Sequence, residues 1–347
     1  MAFKINGVTV LDDNREVTVD RIIATANDRV FVGVTATNSP TSVLSPSIFQ
    51  GSVSGYTSGG DAGPALSNVV DKFPFASDTN ATDVGDLTIA RNRLAGQSST
   101  THGYSSGGGP PFVSIIDKFP FNSDTNATGV GNLTQARGFV TGQSSSTHGY
   151  SSAGLITPPP TGAQLNTIDK FPFAHDVVAT DVGNVTEARN GPAGQSSTTH
   201  GYTSGGNPGP TGFGNTIDKF PFAADINATN VGDISSTLRD TCGQSSTTSG
   251  YTSGGFTGAR INTIDKFPFS TDTNATDVGD LTQAREIPGS QSSTSSGYTS
   301  GGYTGPPSGF QNTIDKFPFS SDSNATDVGD LSVTRIAATG QQARTIQ

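Results

Sequence analysis

The sequence predicts an all-β protein, a six-bladed β-propeller of four-stranded blades with a small N-terminal β segment. Three observations lead there. The pentapeptide Asp-Lys-Phe-Pro-Phe occurs six times, beginning at Asp71, Asp117, Asp169, Asp218, Asp265 and Asp315, in steps of 46, 52, 49, 47 and 50 residues. A period of about 50 marks a repeat architecture. Each unit holds four short segments separated by turn residues and without helical periodicity, the pattern of a propeller blade. A Gln stands 26 residues after every Asp, at Gln97, Gln143, Gln195, Gln244, Gln291 and Gln341, and the last of these has no unit of its own.

The 347 residues include 44 Gly and 20 Pro, a bias that signals disorder in an aperiodic chain. Here Phe, Ile, Val and Leu recur at fixed places, as stacked repeats require. A net charge of −10 with 14% charged residues argues against a nucleic-acid partner, which wants clustered Lys and Arg. It also argues against anionic membrane surfaces. No apolar run approaches the ~18 residues of a membrane span, and the opening Met1-Ala2-Phe3-Lys4-Ile5-Asn6-Gly7 has no signal-peptide core. Cys242 is the single cysteine, so no intrachain disulfide staples the fold.

Residues 1–50 lie outside the repeat and form the first domain, a β arm that anchors the molecule or a strand tucked onto the main domain. Residues 3–10 read as a short strand with a glycine break, and residues 16–19 and 29–34 as two more, rich in β-branched side chains. The cluster Asn38-Ser39-Pro40-Thr41-Ser42 is a turn or linker. Residues 51–347 form the propeller. Its strands a to d are typified by Gly-Gln-Ser-Ser at 96–99, Gly-Tyr-Thr-Ser-Gly-Gly at 201–206, Asn-Thr-Ile-Asp-Lys-Phe-Pro-Phe at 215–222 and Ala-Thr-Asp-Val-Gly-Asp-Leu at 275–281.

These residues carry a resemblance. Tyr202 followed by Gly205-Gly206, a variable loop, Ile217-Asp218, and an Arg before strand a, as in Ala284-Arg285, resembles the kelch repeat over residues 51 to 345, except that the kelch Trp is missing. Units such as Ile264-Asp265-Lys266-Phe267-Pro268-Phe269 followed by Asp272-Thr273-Asn274-Ala275-Thr276-Asp277-Val278-Gly279-Asp280 resemble repeats in structural proteins of tailed bacteriophages, especially marine ones. The opening Ile5-Asn6-Gly7-Val8-Thr9-Val10-Leu11-Asp12-Asp13 is similar to the start of phage tail and fibre proteins. The resemblance implies a kelch-like propeller in a virion: a tail fibre, baseplate or capsid appendage.

From each Asp to the Tyr of the next unit is always 33 residues, as from Asp71 to Tyr104. Residues 336–344, with Gln341, therefore supply strand a to the first blade, beside Tyr56 and Asp71, and close the ring without a free sheet edge. Residues 47–54 match strand a poorly, which supports the C-terminal donor. Strand a is built of small residues because it is innermost. The twelve Phe of the Phe-Pro-Phe copies fill the gaps between blades, each contributing roughly 1.5–3 kcal/mol before entropy. The Pro removes a ladder donor, so strand c ends or bulges there.

Alternating strands place the b–c and d–a loops on one face and the a–b and c–d loops on the other. Tyr-to-Asp spacings of 15, 13, 19, 16, 14 and 17 residues confine all length variation to the b–c loop. The d–a loops vary in identity at fixed length, and the opposite face repeats almost verbatim. A scaffold that holds one face constant and varies the other reads as a binding surface, although neutral drift in tolerant loops gives the same pattern. The candidate binding residues are Leu155, Ile156, Phe213, Phe256, Arg260, Tyr303 and Phe310 of the b–c loops, with Arg93 and Phe139 of the d–a loops.

Other motifs read as structural. His102, His148 and His200 occupy equivalent places on successive blades, at least ~5 Å apart, too far for one zinc ion. Asp78, Asn80, Asp83 and Asp86 suit a calcium loop or a set of Asx turns. Asp83 stands where an EF-hand loop needs Gly, which favours the turns. Asn80-Ala81-Thr82 and its copies match the glycosylation pattern and are read as turns. Arg91, Arg137, Arg189, Arg285 and Arg335 recur 20 residues after the Asp, with Leu238 in that place in the fourth blade and Arg239 one residue on. Pairing with Asp or carbonyl groups between blades is expected of them.

No nucleophile–base pair, phosphate loop or metal cluster stands out, so no cofactor is expected. The favoured reading is a non-enzymatic virion protein, held by its N-terminal segment to other virion proteins. Its b–c/d–a face binds a host surface glycan or a neighbouring particle protein, in a setting that admits homo-oligomers. The alternative is a propeller enzyme acting on polysaccharide, which needs Asp, Glu, Tyr and Arg converging at the channel mouth in a few blades. Glu187 and Glu286 are the only Glu of the repeats, which counts against it. A cytosolic kelch-type adaptor fits least, lacking a partner domain and the Trp.

Overall fold

The computed structural model describes residues 3–5, 8–11, 49–157, 162–209, 212–307 and 309–344. The chain divides into two compact units, Met1–Leu44 and Ser45–Gln347. In the first, strands Phe3–Ile5 and Val8–Leu11 pair antiparallel, with Phe3 opposite Leu11. The stretch read as one broken strand is thus two paired strands. The strands expected at 16–19 and 29–34, and the linker at 38–42, lie outside the described residues.

The second unit is all-β: six sheets of four antiparallel strands, with no helix among the described residues. No helix there is long and apolar enough to cross a membrane. In blade 2 strands a to d are Ala95–Ser98, His102–Ser106, Ile115–Pro120 and Thr128–Asn132. Blade 1 takes strand a from the far end of the chain. Thr339–Ala343 pairs with Ser54–Ser58, setting Gln341 opposite Tyr56, and Val69–Pro74 and Thr82–Asp86 complete the sheet. Strand c ends at its Pro in every blade, while the register shift falls earlier, as between Ile116 and Asp117.

The core lies between blades. Tyr56 of blade 1 stacks on Phe121 of blade 2 at 5.0 Å and tilts against Phe119 at 5.5 Å. Val70, Leu87, Leu94, Ala127 and Ala343 fill the rest of that cluster, and five equivalent clusters surround the axis. The Gly before each Tyr is required by this packing: a Cβ on Gly103 would stand 2.3 Å from the Phe119 ring. The innermost strands approach as closely, since a Cβ on Gly96 would meet the Gly340 carbonyl oxygen at 2.2 Å.

A buried ionic clamp ties five of the six d–a loops to the next blade. Asp117 of blade 2, fully buried on strand c, accepts from Thr88 Oγ1 at 2.7 Å and from Arg91 Nη1 at 2.8 Å. Arg137–Asp169 (3.1 Å) and Arg189–Asp218 (2.8 Å) repeat it, and Arg285–Asp315 and Arg335–Asp71 complete the set. The expected pairing between blades is thus observed at five of the six junctions. At the sixth, Leu238 fills the Arg place and only Ser235 serves Asp265, leaving its Oδ1 without a partner. Burial raises the pKa of Asp265.

Candidate functional site

The two faces differ in kind. On the a–b/c–d face the same ties recur in blade after blade. Lys72 pairs with Asp124 of the next blade, and Lys118, Lys170, Lys219, Lys266 and Lys316 do likewise with Asp176, Asp225, Asp272, Asp322 and Asp78. Asn80 Oδ1 accepts from the Asp330 amide across a blade junction, and Asp83 Oδ1 from the amide of Gly85. The Asp and Asn side chains therefore make inter-blade ties as well as Asx turns. His102, His148 and His200 stand at the a–b turns, each Nδ1 bonded to the preceding Thr hydroxyl at 2.8 Å. Burial first, then the neighbouring Lys118, lowers the pKa of His102.

Phe49 and Gln50 lie on this same face. Gln50 Nε2 donates to the Ser245 and Ser293 carbonyls at the ends of two innermost strands, and Gln342 Nε2 donates to the Phe49 carbonyl. Buried Phe49 thereby floors an axial pit of about 130 Å³ lined by strands a. Above it a collar of serines narrows the axis: Ser98 N donates to Ser144 Oγ, Ser144 N to Ser196 Oγ and Ser196 N to Ser245 Oγ.

The pit opens on the b–c/d–a face through two concentric rings. In the inner ring each d–a loop contributes one residue with left-handed backbone: Arg93, Phe139, Gly191, Asp240, Ile287 and Ala337, at φ between 50° and 63°. Their amides form a closed circle. Phe139 N donates to Arg93 O, Gly191 N to Phe139 O, Asp240 N to Gly191 O, Ile287 N to Asp240 O, Ala337 N to Ile287 O and Arg93 N to Ala337 O. In the outer ring the preceding residue of each d–a loop bridges the next blade's b–c loop: Asn92 to Gly109, Gly138 to Leu155, Asn190 to Asn207, Arg239 to Phe256, Glu286 to Tyr303 and Ile336 to Asp61. The backbone repeats around the axis while the side chains do not.

Those side chains gather into two groups. Across blades 4 to 6, Phe213 lies 6.0 Å from Phe256, and Arg239 lies over both rings. Arg260 then lies over Phe256 at 5.7 Å and over Tyr303 at 4.5 Å, and Phe310 meets Tyr303 edge-on at 5.7 Å. Glu286 holds Arg260 at 2.7 Å and Asp240 holds Arg239 at 3.1 Å. In the second group Arg93 covers the Phe139 ring at 4.4 Å, and Phe112 meets that ring at 6.2 Å. Of the remaining candidates, Leu155 is 2% exposed and packed within its own loop, and Ile156 is half-buried beside it. Seven of the nine candidates thus fall into the two groups.

Sequence reading missed Phe112, Arg239, Asp240 and Glu286. One signal was present, the Leu238-Arg239 departure from the Arg repeat. Arg239 is not a displaced clamp residue: its place is the outer ring, where Asn92 and Gly138 stand in other blades. Asp240 is buried with Oδ1 unpartnered. That oxygen lies against Gly191, where a Cβ would stand 2.7 Å from it. Burial pushes the pKa of Asp240 up to about 6, with Glu286 raising it and Arg239 and Arg93 opposing. Burial also lowers the pKa of Arg93 and lifts the Cys242 thiol to about 11, so this thiol is a packing group.

Aromatic faces beside paired Arg and carboxylate groups can stack on apolar faces of a ligand and exchange hydrogen bonds with its hydroxyls. Among the described residues no three His, Cys, Asp or Glu are grouped to hold a metal ion. No protein-family model and no curated protein matches the sequence.

Proposed function

We propose that this is a non-enzymatic structural and binding protein of a tailed-phage particle, a kelch-like propeller whose b–c/d–a face contacts a host surface glycan or a neighbouring particle protein. The observation that carries this reading is the contrast between the faces. One repeats its ionic and amide ties blade by blade, and the other presents a non-repeating set of aromatic and charged side chains around the axial pit. The likeness of the repeats to phage structural proteins supplies the virion setting and an extracellular location. Cryo-EM of the particle carrying this chain tests it. Residues 1–50 docked on other particle proteins with the variable face outward is the expected result. A variable face packed against another shell or tail protein would make that protein the partner instead of the glycan.

A second reading, a propeller enzyme acting on polysaccharide, is favoured by one cluster. Asp240, with its raised pKa, lies near Glu286, Arg239, Arg260 and Tyr303 at the mouth, the convergence such an enzyme needs. Against it, both carboxylates hold arginines. Slow polysaccharide cleavage that Asp240→Asn abolishes would establish the enzyme.

A further inference from the structure

Among the described residues from Lys72 to Arg335, every Lys and Arg but one holds a carboxylate. The exception is Arg93. Its side chain is half-buried at the rim of the axial pit, with Cζ over the Phe139 ring at 4.4 Å from the centroid. Its one side-chain hydrogen bond goes to Asn92 Oδ1 at 3.2 Å, and its buried Nε has no partner. No carboxylate among the described residues comes within ion-pair distance of this guanidinium, and Asp240 and Asp61 act on it only from farther off. A desolvated guanidinium so weakly paired is costly, and this chain has 29 Asp and Glu from which a closer partner was available. Its backbone adds to that cost, since Arg93 sits at φ 57° in a place that Gly191 fills in another blade. The Phe139 ring supports the guanidinium from one side, and Nη2, which makes no hydrogen bond among the described residues, is the donor left for an oxyanion.

The pit limits the size of the group that carries the anion. Its volume of about 130 Å³ is close to that of a cavity of about 150 Å³ that takes up one benzene ring, so it admits a single ring. Its walls are Gly, Ser, Thr and Gln of strands a, with Phe139, Ile287 and Asp240 at the rim, a lining suited to hydroxyls and one apolar ring face. We propose that the axial mouth is a subsite for the carboxylate of a single acidic sugar residue, held by Arg93 and Phe139. This rests on the reading of the face as a glycan-binding surface and narrows it to uronic-acid-type ligands.

The test is NMR titration of the full-length protein with glucuronate, glucose and glucose 6-phosphate. Glucuronate is expected to bind at least tenfold more tightly than glucose. Arg93→Asn, whose side chain tolerates the left-handed backbone, is expected to bring glucuronate down to the level of glucose with a melting temperature no lower than the parent's. Arg93→Gly is expected to do the same and guards against a folding artefact. Equal affinity for glucuronate and glucose, or glucuronate binding untouched by both variants, would overturn the inference, and so would a tenfold preference for the phosphate. Parallel oligosaccharide arrays separate this failure from that of the broader reading. Acidic glycans bound as well by Arg93→Asn as by the parent but lost by Tyr303→Ala would sink the acidic-sugar subsite alone, whereas no glycan bound by the parent at all would sink both.

Discussion

Five non-glycine residues around the axis hold left-handed backbone, Ile287 at φ 50° among them. For a residue with a Cβ this conformation costs on the order of 1–2 kcal/mol. The closed circle of amide bonds from Arg93 to Ala337 imposes it on each d–a loop. Sequence variation in these loops was legible, and it brought out Arg93 and Phe139. The backbone requirement was not, because Asp240, Ile287 and Ala337 are unremarkable residues in sequence. Asp240 offers a test at this scale. Its folded pKa of about 6 lies above the ordinary 3.8 because burial penalises the carboxylate. The folded state therefore binds more protons between these values, and stability falls as pH rises through about 6. At pH 7.5 the ionised group costs on the order of 1–3 kcal/mol. Asp240→Asn is expected to melt several degrees higher than the parent at pH 7.5, with the gain vanishing below pH 4. Identical melting of the two proteins across that range would contradict the assignment.

Strand c is where the repeat motif meets the packing. Asp-Lys-Phe-Pro-Phe encodes three inter-blade contacts at once: the Asp in the buried clamp, the Lys on the neighbouring c–d loop, and both Phe on the preceding blade's Tyr. The motif and the gap-filling Phe were legible because they repeat. The partners were not assignable residue by residue, since Arg91 and Asp117 lie 26 residues apart on different blades. Removing one member of a buried ion pair costs about 3–5 kcal/mol, so Asp117→Ala should be strongly destabilising in denaturant unfolding. At the junction with no arginine the prediction reverses. Asp265→Asn should change stability by less than about 1 kcal/mol, or raise it, because no buried guanidinium is left unpaired. Equal losses at the two positions would show that the clamp arginines contribute nothing beyond the Ser and Thr bonds.

At the scale of the molecule, the surplus Gln341 pointed to the strand that pairs with Ser54–Ser58 and completes blade 1. Deleting residues 336–347 removes that strand, leaves Arg335, the clamp partner of Asp71, at a frayed chain end, and exposes a sheet edge. The truncated protein should melt at least ten degrees lower or fail to fold, as followed by circular dichroism. Ring number and strand order were legible from repeat spacing, and the division into a constant and a variable face from loop lengths. The pit, its Phe49 floor and the aromatic–arginine row were not, because they join residues from several blades and the segment before the first repeat. The most direct test of the variable face as the binding surface is a glycan-array comparison of the full-length protein with variants on opposite faces. Arg260→Ala and Tyr303→Ala on the variable face are expected to lose at least tenfold in binding, and Lys118→Ala and Lys170→Ala on the repeating face to keep it. Binding that survives the first pair and falls with the second would place recognition on the wrong face and contradict the account.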